Sequence, residues 1–281
     1  MLSLLQITNN PDLAQRCDAL GGFRLFVDLE RHGKAERQAG RNTFISNHQV
    51  SDVGRIKAVL RQSRLMVRLN PVAGGGLDEV DGVLAQGADI LMLPMFTQAA
   101  ELAAFCARVA GRVPVVALLE TRQALETLAQ WIATPGLHEV YVGLNDLHLS
   151  LGCRFMFEPL AQGLLDPVAQ AARQHGLGFG FGGIARLEEG LLPGRVVLAE
   201  HLRLGSSAVI LSRTFHRADA VAQTQANALS APPANTVNTL EVQVAALRAC
   251  EAQLAQRSAQ QIEKDRLNMV DLVASAAARM P

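Results

Sequence analysis

Eight short apolar runs, each separated from the next by a stretch of helical character, constrain the fold of this chain more than any other feature. The runs occupy residues 2–7, 23–29, 65–70, 89–94, 113–120, 139–144, 177–182 and 207–212. Helical segments are expected between them at 11–20, 49–62, 76–86, 97–110, 121–133, 158–175 and 187–203. Ser51-Asp52 and Thr97 read as helix starts, and Gly87, Gly111 and Gly176 as stops. Runs that are apolar on both faces suit parallel strands covered by helices. Eight such units in about 210 residues fit an α/β fold of the (β/α)8 (TIM) barrel type, in which the sheet closes on itself. An open doubly wound sheet is the alternative. It requires a glycine-rich phosphate loop after its first strand, and ITNNPD is not one.

The composition agrees with a large core. Of 281 residues, 49 % are hydrophobic and 19 % charged, which argues against disorder. Aromatic residues are only 4 %, so the core must be aliphatic. Lys+Arg and Asp+Glu number 26 each, a balance that speaks against nucleic-acid and membrane-surface partners. Cys17, Cys106, Cys153 and Cys250 form no CxxC pair and read as reduced thiols, not a disulfide frame or zinc site. The N-terminus MLSLLQITNNPDL lacks a basic region, and its apolar run is too short for a signal peptide or membrane span. The expectation is a soluble, cytoplasmic protein.

Beyond Arg213 the pattern changes. Residues 228–239, rich in small residues and proline, read as a hinge between a barrel domain (1–227) and a helical extension (228–281). Leu240, Leu247 and Leu254 recur every seven residues, with Val244 and Cys250 on a nearby face. A polar stretch at 256–266 interrupts this stripe. With the barrel complete, the extension packs on it or reaches another subunit, and the hinge favours exchange between subunits.

In barrels of this kind chemistry collects at the C-terminal ends of the strands. The second run ends in Asp28-Leu29-Glu30-Arg31-His32, and the third carries Arg68 and ends in Asn70-Pro71. The fifth ends in Glu120-Thr121-Arg122. The sixth opens VYVGLNDLHLSLG (140–152), which turns polar at Asn145 and Asp146 and then resumes its leucines. A carboxylate beside a core is costly unless it is paired or coordinated. Glu120 and Asp146, from successive strands, are the best candidates to hold Mg²⁺ or Mn²⁺, hard ions that accept two carboxylates and keep several waters. Each acid taken alone also suits a helix cap, a benefit of roughly half a kcal/mol. A buried arginine must be paired. Arg68 therefore reads as a structural partner of Asp28 or Glu30, as a fork for a substrate carboxylate or ketone oxygen, or as both. His32 and His48 (in SNHQVSD) read first as surface histidines, with lining the site as the lesser alternative. Arg31, Lys34, Arg37 and Arg41 make 31–42 a solvated basic loop, or less readily an anion site. The glycines of GFGFGG (178–183) are a weak phosphate signal and better explained by close strand approach.

The rim pieces FVDLE (26–30), VRLNP (67–71), GADILMLPMF (87–96), ALLETRQALE (117–126) and VGLNDLHLSLG (142–152) resemble the HpcH/HpaI aldolase–citrate lyase β family in order and spacing over about 23–152. The resemblance implies a metal-dependent barrel enzyme, a carbon–carbon lyase that forms or cleaves a bond to pyruvate or a similar 2-keto acid through an enolate. It implies that Glu120 and Asp146 bind the divalent cation and that Arg68 contacts the keto oxygen. The backbone of Leu144, Asn145 and Asp146 would receive the substrate carboxylate. Asp28, Glu30 and His32 would complete the catalytic group, with His32 or a water moving the proton. The partners implied are a 2-keto acid with an aldehyde or acyl co-substrate, and a homo-oligomer, trimer or hexamer, with exchanged tails. Two departures stand out. Aldolases of the family place a histidine directly after the acid of the second strand and its CoA-ester lyases place an acid there, but Arg31 occupies that position and His32 comes one place late. Leu118 stands where the aldolases have glutamine. A CoA-ester lyase or citrate-synthase-like condensing enzyme of citryl or malyl type, and a non-catalytic barrel binding a metal and an organic acid, are the alternatives.

Overall fold

In the computed structural model, which describes residues 1–33, 46–215 and 239–280, the eight apolar runs form eight parallel strands. They are β1 (Ser3–Ile7), β2 (Phe23–Asp28), β3 (Arg64–Arg68), β4 (Ile90–Leu93), β5 (Val115–Leu119), β6 (Leu137–Val142), β7 (Gly178–Ile184) and β8 (Ala208–Leu211). Each pairs with the next, and β8 returns to β1 in the register Ser3↔Ala208, Leu4↔Val209, Leu5↔Ile210. The sheet is closed, as expected for a (β/α)8 barrel.

Side chains alternate across each strand. On β2, Phe23, Leu25 and Val27 pack outward into the layer shared with the helices. Phe26 points inward to meet Leu5, Met66, Met92, Leu118 and Tyr141. The same inward row carries Arg24 below Phe26 and Asp28 above it. Arg24 closes the lower end of the interior through its Nη1, 2.8 and 3.0 Å from the Glu139 carboxylate. Leu118 belongs to the interior packing, which accounts for its apolar character at that position. The glycines of β7 make room. A Cβ on Gly180 would come within 2.6 Å of the Tyr141 ring, so Tyr141 can fill the interior only beside a strand without side chains there. Its hydroxyl donates to Gly182 O (2.7 Å) and accepts from Ile210 N (2.9 Å), tying β6 to β7 and β8.

The outer layer is more broken than the periodicity suggests. It comprises α1 (Pro11–Leu20), α2 (Val50–Lys57), α3 (Gly76–Ala85), α4 (Ala99–Val109), α5 (Arg122–Glu126), α6 (Leu128–Trp131), α7 (Leu144–Leu151), α8 (Glu158–Ala161), α9 (Asp166–Gln174) and α10 (Gly194–Leu204). The single helices expected at 121–133 and 158–175 are each two, divided at Thr127 and in the turn containing Gly163 (φ 73°). The segment expected at 187–203 becomes helical only at Gly194, just after Pro193. Leu147, Leu149 and Leu151 do not continue a strand: β6 ends at Val142 and the leucines lie on α7.

The extension is α11 (Leu240–Leu254) followed by α12 (Ala259–Ala277), with the break confined to 255–258 and not spread over 256–266. Both pack on the barrel. Leu240, Val244 and Leu247 of α11 and Met269 and Val273 of α12 are buried. Glu251 accepts from Leu2 N (2.6 Å) and Arg248 donates to Leu2 O (2.7 Å), which places α11 at the lower mouth, by the start of β1. Lys34, Arg37, Arg41 and residues 228–238 of the expected hinge lie outside the described residues. All four cysteines are free thiols. No helix among the described residues is long and apolar enough to cross a membrane.

Candidate active site

At the upper mouth the inward rows of β2, β3 and β5 run out together. Asp28 is the last residue of β2, Arg68 the last of β3, and Glu120 follows the last residue of β5. The strand register pairs Asp28 with Arg68 directly. The Arg68 guanidinium lies as a fork on that carboxylate, Nε to Oδ1 and Nη2 to Oδ2, both 2.8 Å. The remaining nitrogen, Nη1, stands 3.3 Å from Glu30 Oε2 and 3.8 Å from Glu120 Oε1. Asp28, Glu30 and Glu120 are each at most 3 % exposed. Burial pulls the Arg68 pKa down, but the charges of Asp28, Glu30 and Glu120, with the Asp28 hydrogen bond, outweigh it and hold it well above its ordinary value. Arg68 is therefore a permanent cation, and its reading as a structural partner takes in both Asp28 and Glu30.

Asp28 is itself fixed from behind. Ser46 Oγ donates to its Oδ2 (3.1 Å), and its backbone N–H donates to His48 Nδ1 (3.0 Å). His48 is buried, not a surface residue, and as acceptor at Nδ1 it carries its neutral-form proton on Nε2. Arg31 reaches back with Nη2 to His48 O (2.8 Å). The Arg31 and His32 N–H groups share Asn70 Oδ1 (2.9 Å each), and Asn70 is held by Glu79 through its N and Nδ2. The His32 ring is at the outer lip, against the β3–α3 loop: a Cβ on Gly74 would come 2.7 Å from its Cγ. Ser46 and Glu79 are site-shaping residues that no motif in the sequence marks, and Asn70, marked only as the end of a strand, joins them. Their signal was position alone: Asn70 just past β3, Ser46 ahead of α2 and Glu79 in the first turn of α3.

Glu120 is not a helix cap. Thr121 caps α5, its Oγ1 accepting from Ala124 N (3.1 Å) and donating to Phe96 O (2.9 Å). The Glu120 side chain instead lies on Gly143, the one residue between β6 and α7: a Cβ there would be 2.5 Å from Glu120 Oε1. Glu120 is thus seated at the N-terminus of α7, whose first turn is Leu144-Asn145-Asp146. The first N–H groups of a helix have no acceptor within it and favour an anion. Asp146, buried at the third position, also gains from that dipole, so the capping reading survives for it in part. Glu120, just past β5, and Asp146, in the helix turn just past β6, stand at the same mouth.

The donor set has a definite chemistry. Among the described residues no group of three His, Cys, Asp or Glu side chains is placed to hold a metal ion. Two buried carboxylates fit an ion of the Mg²⁺ or Mn²⁺ type, which takes one or two protein carboxylates and completes its coordination with water or substrate oxygens. Zinc, with three or four protein ligands, fits less well.

Residues 4–179 match the family model of HpcH/HpaI aldolase/citrate lyase. A (3S)-malyl-CoA thioesterase of Cereibacter sphaeroides is 35 % identical over 103 residues, covering 36 % of this chain and 36 % of that protein. Another from the same species is 28 % identical over 178 residues, covering 62 % and 60 %. The chain thus spans 36 to 60 % of the length of these curated relatives. Among solved structures, an HpcH/HpaI aldolase from Desulfitobacterium hafniense superposes with TM-score 0.60 at 16 % identity, over 83 % of this chain and 95 % of that one. The citrate lyase β subunit from M. tuberculosis, complexed with oxaloacetate and magnesium, gives 0.57 at 17 % identity, over 89 % and 96 %. At such identities these two likenesses concern the fold.

Proposed function

This chain belongs to the HpcH/HpaI aldolase/citrate lyase family, and from that premise we propose that it is a metal-dependent class II aldolase or lyase. It cleaves a larger hydroxy-keto acid into pyruvate, or a close 2-keto acid, and an aldehyde or acyl partner, or in reverse joins those two into the larger acid. The observation that carries the reading is the seat of Arg68: locked on Asp28, it turns Nη1 toward Glu120, which lies on the N-terminus of α7.

Glu120 and Asp146 would hold the divalent cation, which when bound supplies Lewis acidity to the oxygens of the keto acid. The N–H groups of Leu144, Asn145 and Asp146 receive the substrate carboxylate at the helix N-terminus. Arg68 Nη1 donates to the ketone oxygen and stabilises the charge that develops on it as the C–C bond breaks or a methyl proton leaves. Asp28 acts as a positioning residue for Arg68, and Glu30 sets the charge on its other side. His32, on the lip, or a water moves the proton. The magnesium and oxaloacetate in the M. tuberculosis citrate lyase β subunit support the choice of ion and ligand class. A cytoplasmic homo-oligomer, trimer or hexamer, belongs to the same proposal, with the tail docked on its own barrel and not exchanged as the hinge had suggested, and sedimentation velocity reads its size.

A second reading, a CoA-ester lyase, draws on the CoA-ester substrate for which the (3S)-malyl-CoA thioesterase relatives are named; in such a lyase the carbanion would form on the acetyl thioester as the C–C bond breaks. Incubation with Mg²⁺ and pyruvate in D₂O, followed by NMR, separates the two. Loss of the pyruvate methyl signal that EDTA abolishes is the expected result. Exchange of acetyl-CoA alone would transfer the protein to the CoA branch, and binding without either exchange would make it a non-catalytic barrel. Glu120→Gln and Asp146→Asn should each abolish metal-dependent exchange while leaving the melting curve in place.

A further inference from the structure

Buried guanidinium groups in this chain have carboxylates at close reach. Arg24 lies on Glu139 at 2.8 Å, Arg68 on Asp28 at 2.8 Å, Arg203 on Glu200 and Asp166 at 2.8 and 2.6 Å, and Arg257 on Asp265 at 2.7 Å. Arg186 breaks the pattern. It is 8 % exposed. Its Nη1 stands 3.4 Å from Glu189, a glutamate whose side chain is 41 % exposed. Its Nε and Nη2 are fully buried and, among the described residues, have no hydrogen-bond partner. A guanidinium remains charged in a protein, and leaving two of its donors buried without an acceptor is costly.

The position of Arg186 makes this more than a packing defect. It stands two residues past the end of β7, on the same mouth as Arg68 and Glu120. Its backbone N–H donates to Thr214 Oγ1 (3.1 Å), just past β8, and Thr214 Oγ1 pairs with Ser212 Oγ at 2.9 Å. The Arg186 backbone thus meets two hydroxyls where the loops after the seventh and eighth strands come together, the corner at which barrels of this kind frequently bind phosphate. The Nε–Nη2 edge of a guanidinium matches the two oxygens of a carboxylate or phosphate.

We propose that Arg186, with Ser212 and Thr214 beside it, is a second anion subsite of the mouth. It takes an acidic group on the part of the substrate remote from the keto acid, a carboxylate or a phosphate ester. Naming the ligand as the far end of a substrate rests on the 2-keto-acid reading; anion binding at Arg186 does not. The two are tested separately because no divalent ion is needed here. The full chain, freed of divalent ions, is titrated calorimetrically with inorganic phosphate and, separately, with succinate. Binding is expected, weakened more than tenfold in Arg186→Gln and less in Arg186→Lys, which keeps the charge and the fold but not the fork. Glu189→Gln, which removes a competing negative charge, should bind at least as well as the parent. Tighter binding of phosphate identifies a phosphorylated tail, and tighter binding of succinate a second carboxylate. Equal affinities in the parent and Arg186→Gln, or binding of neither anion by the parent, would overturn the proposal. Mg²⁺ binding, measured apart and lost in Glu120→Gln, reports on the 2-keto-acid reading whatever the phosphate result.

Discussion

The smallest feature with the largest leverage is the hydrogen atom that Gly143 has in place of a side chain. The Glu120 carboxylate occupies the space a Cβ would fill. Gly143→Ala should therefore displace Glu120 by a large fraction of an ångström while disturbing little else. Misplacement on that scale costs about 100-fold in rate. The expected outcome is a loss of that order in metal-dependent pyruvate exchange with a melting temperature within a few degrees of the parent. Unaltered exchange would mean that Glu120 does not need its seat. At this scale the rim acids and Arg68 were legible, because period-two alternation places Asp28, Arg68 and Glu120 in one inward row at strand ends. Ser46 and Glu79 were not singled out, and His48 was read first as a surface residue. Their contacts with Asp28 and Asn70 link segments whose approach depends on how each loop folds back, which alternation does not encode.

At the scale of elements, the sequence pattern locates strands better than helices. Strands here are continuous apolar runs, and their register follows from closure. Helices α5 and α6, or α8 and α9, share one periodic stretch, and only the turns at Thr127 and Gly163 divide them. The leucines after Asp146 show the same difficulty: 144, 147 and 151 are helical spacing, while 147, 149 and 151 imitate a strand. Helix α10 carries a further test. His201 is fully buried and stacks on Phe181 with centroids 3.8 Å apart and planes within 6°. Burial lowers its pKa from 6.5 to about 3. Between those values the unfolded chain binds the proton and the folded chain does not, so stability is lost as pH falls, by up to about 1.4 kcal/mol per pH unit. His201→Phe keeps the stack and removes the titration. The unfolding free energy of the variant relative to the parent should rise steadily from pH 6.5 toward pH 4; a pH-independent difference would refute this account of His201.

Over the whole molecule, the barrel was readable from the count of apolar runs, and the presence of a helical tail from its heptads. Where the tail docks was not, since heptads announce a buried face without naming its partner. The tail covers the lower mouth and the flank near α8 and α10, away from the rim that carries Arg68 and Glu120. Leu240, Val244, Leu247, Met269 and Val273 are all buried. At about 1.5–3 kcal/mol for each such side chain, their burial is comparable to the whole stability of a typical domain, about 5–15 kcal/mol. A chain ending at residue 238 should therefore fail to give a cooperative melt. A truncated form melting at the parental temperature would show the tail to be an appendage.

The central claim is that Glu120 and Asp146 hold one divalent ion beside Arg68. Anomalous diffraction from crystals soaked with Mn²⁺ and oxalate, an unreactive stand-in for the keto acid, reads it most directly. The account predicts a manganese peak bonded to both carboxylates, with oxalate oxygens meeting the N-terminus of α7 and Arg68 Nη1. Manganese bound elsewhere, or to neither carboxylate, would contradict it.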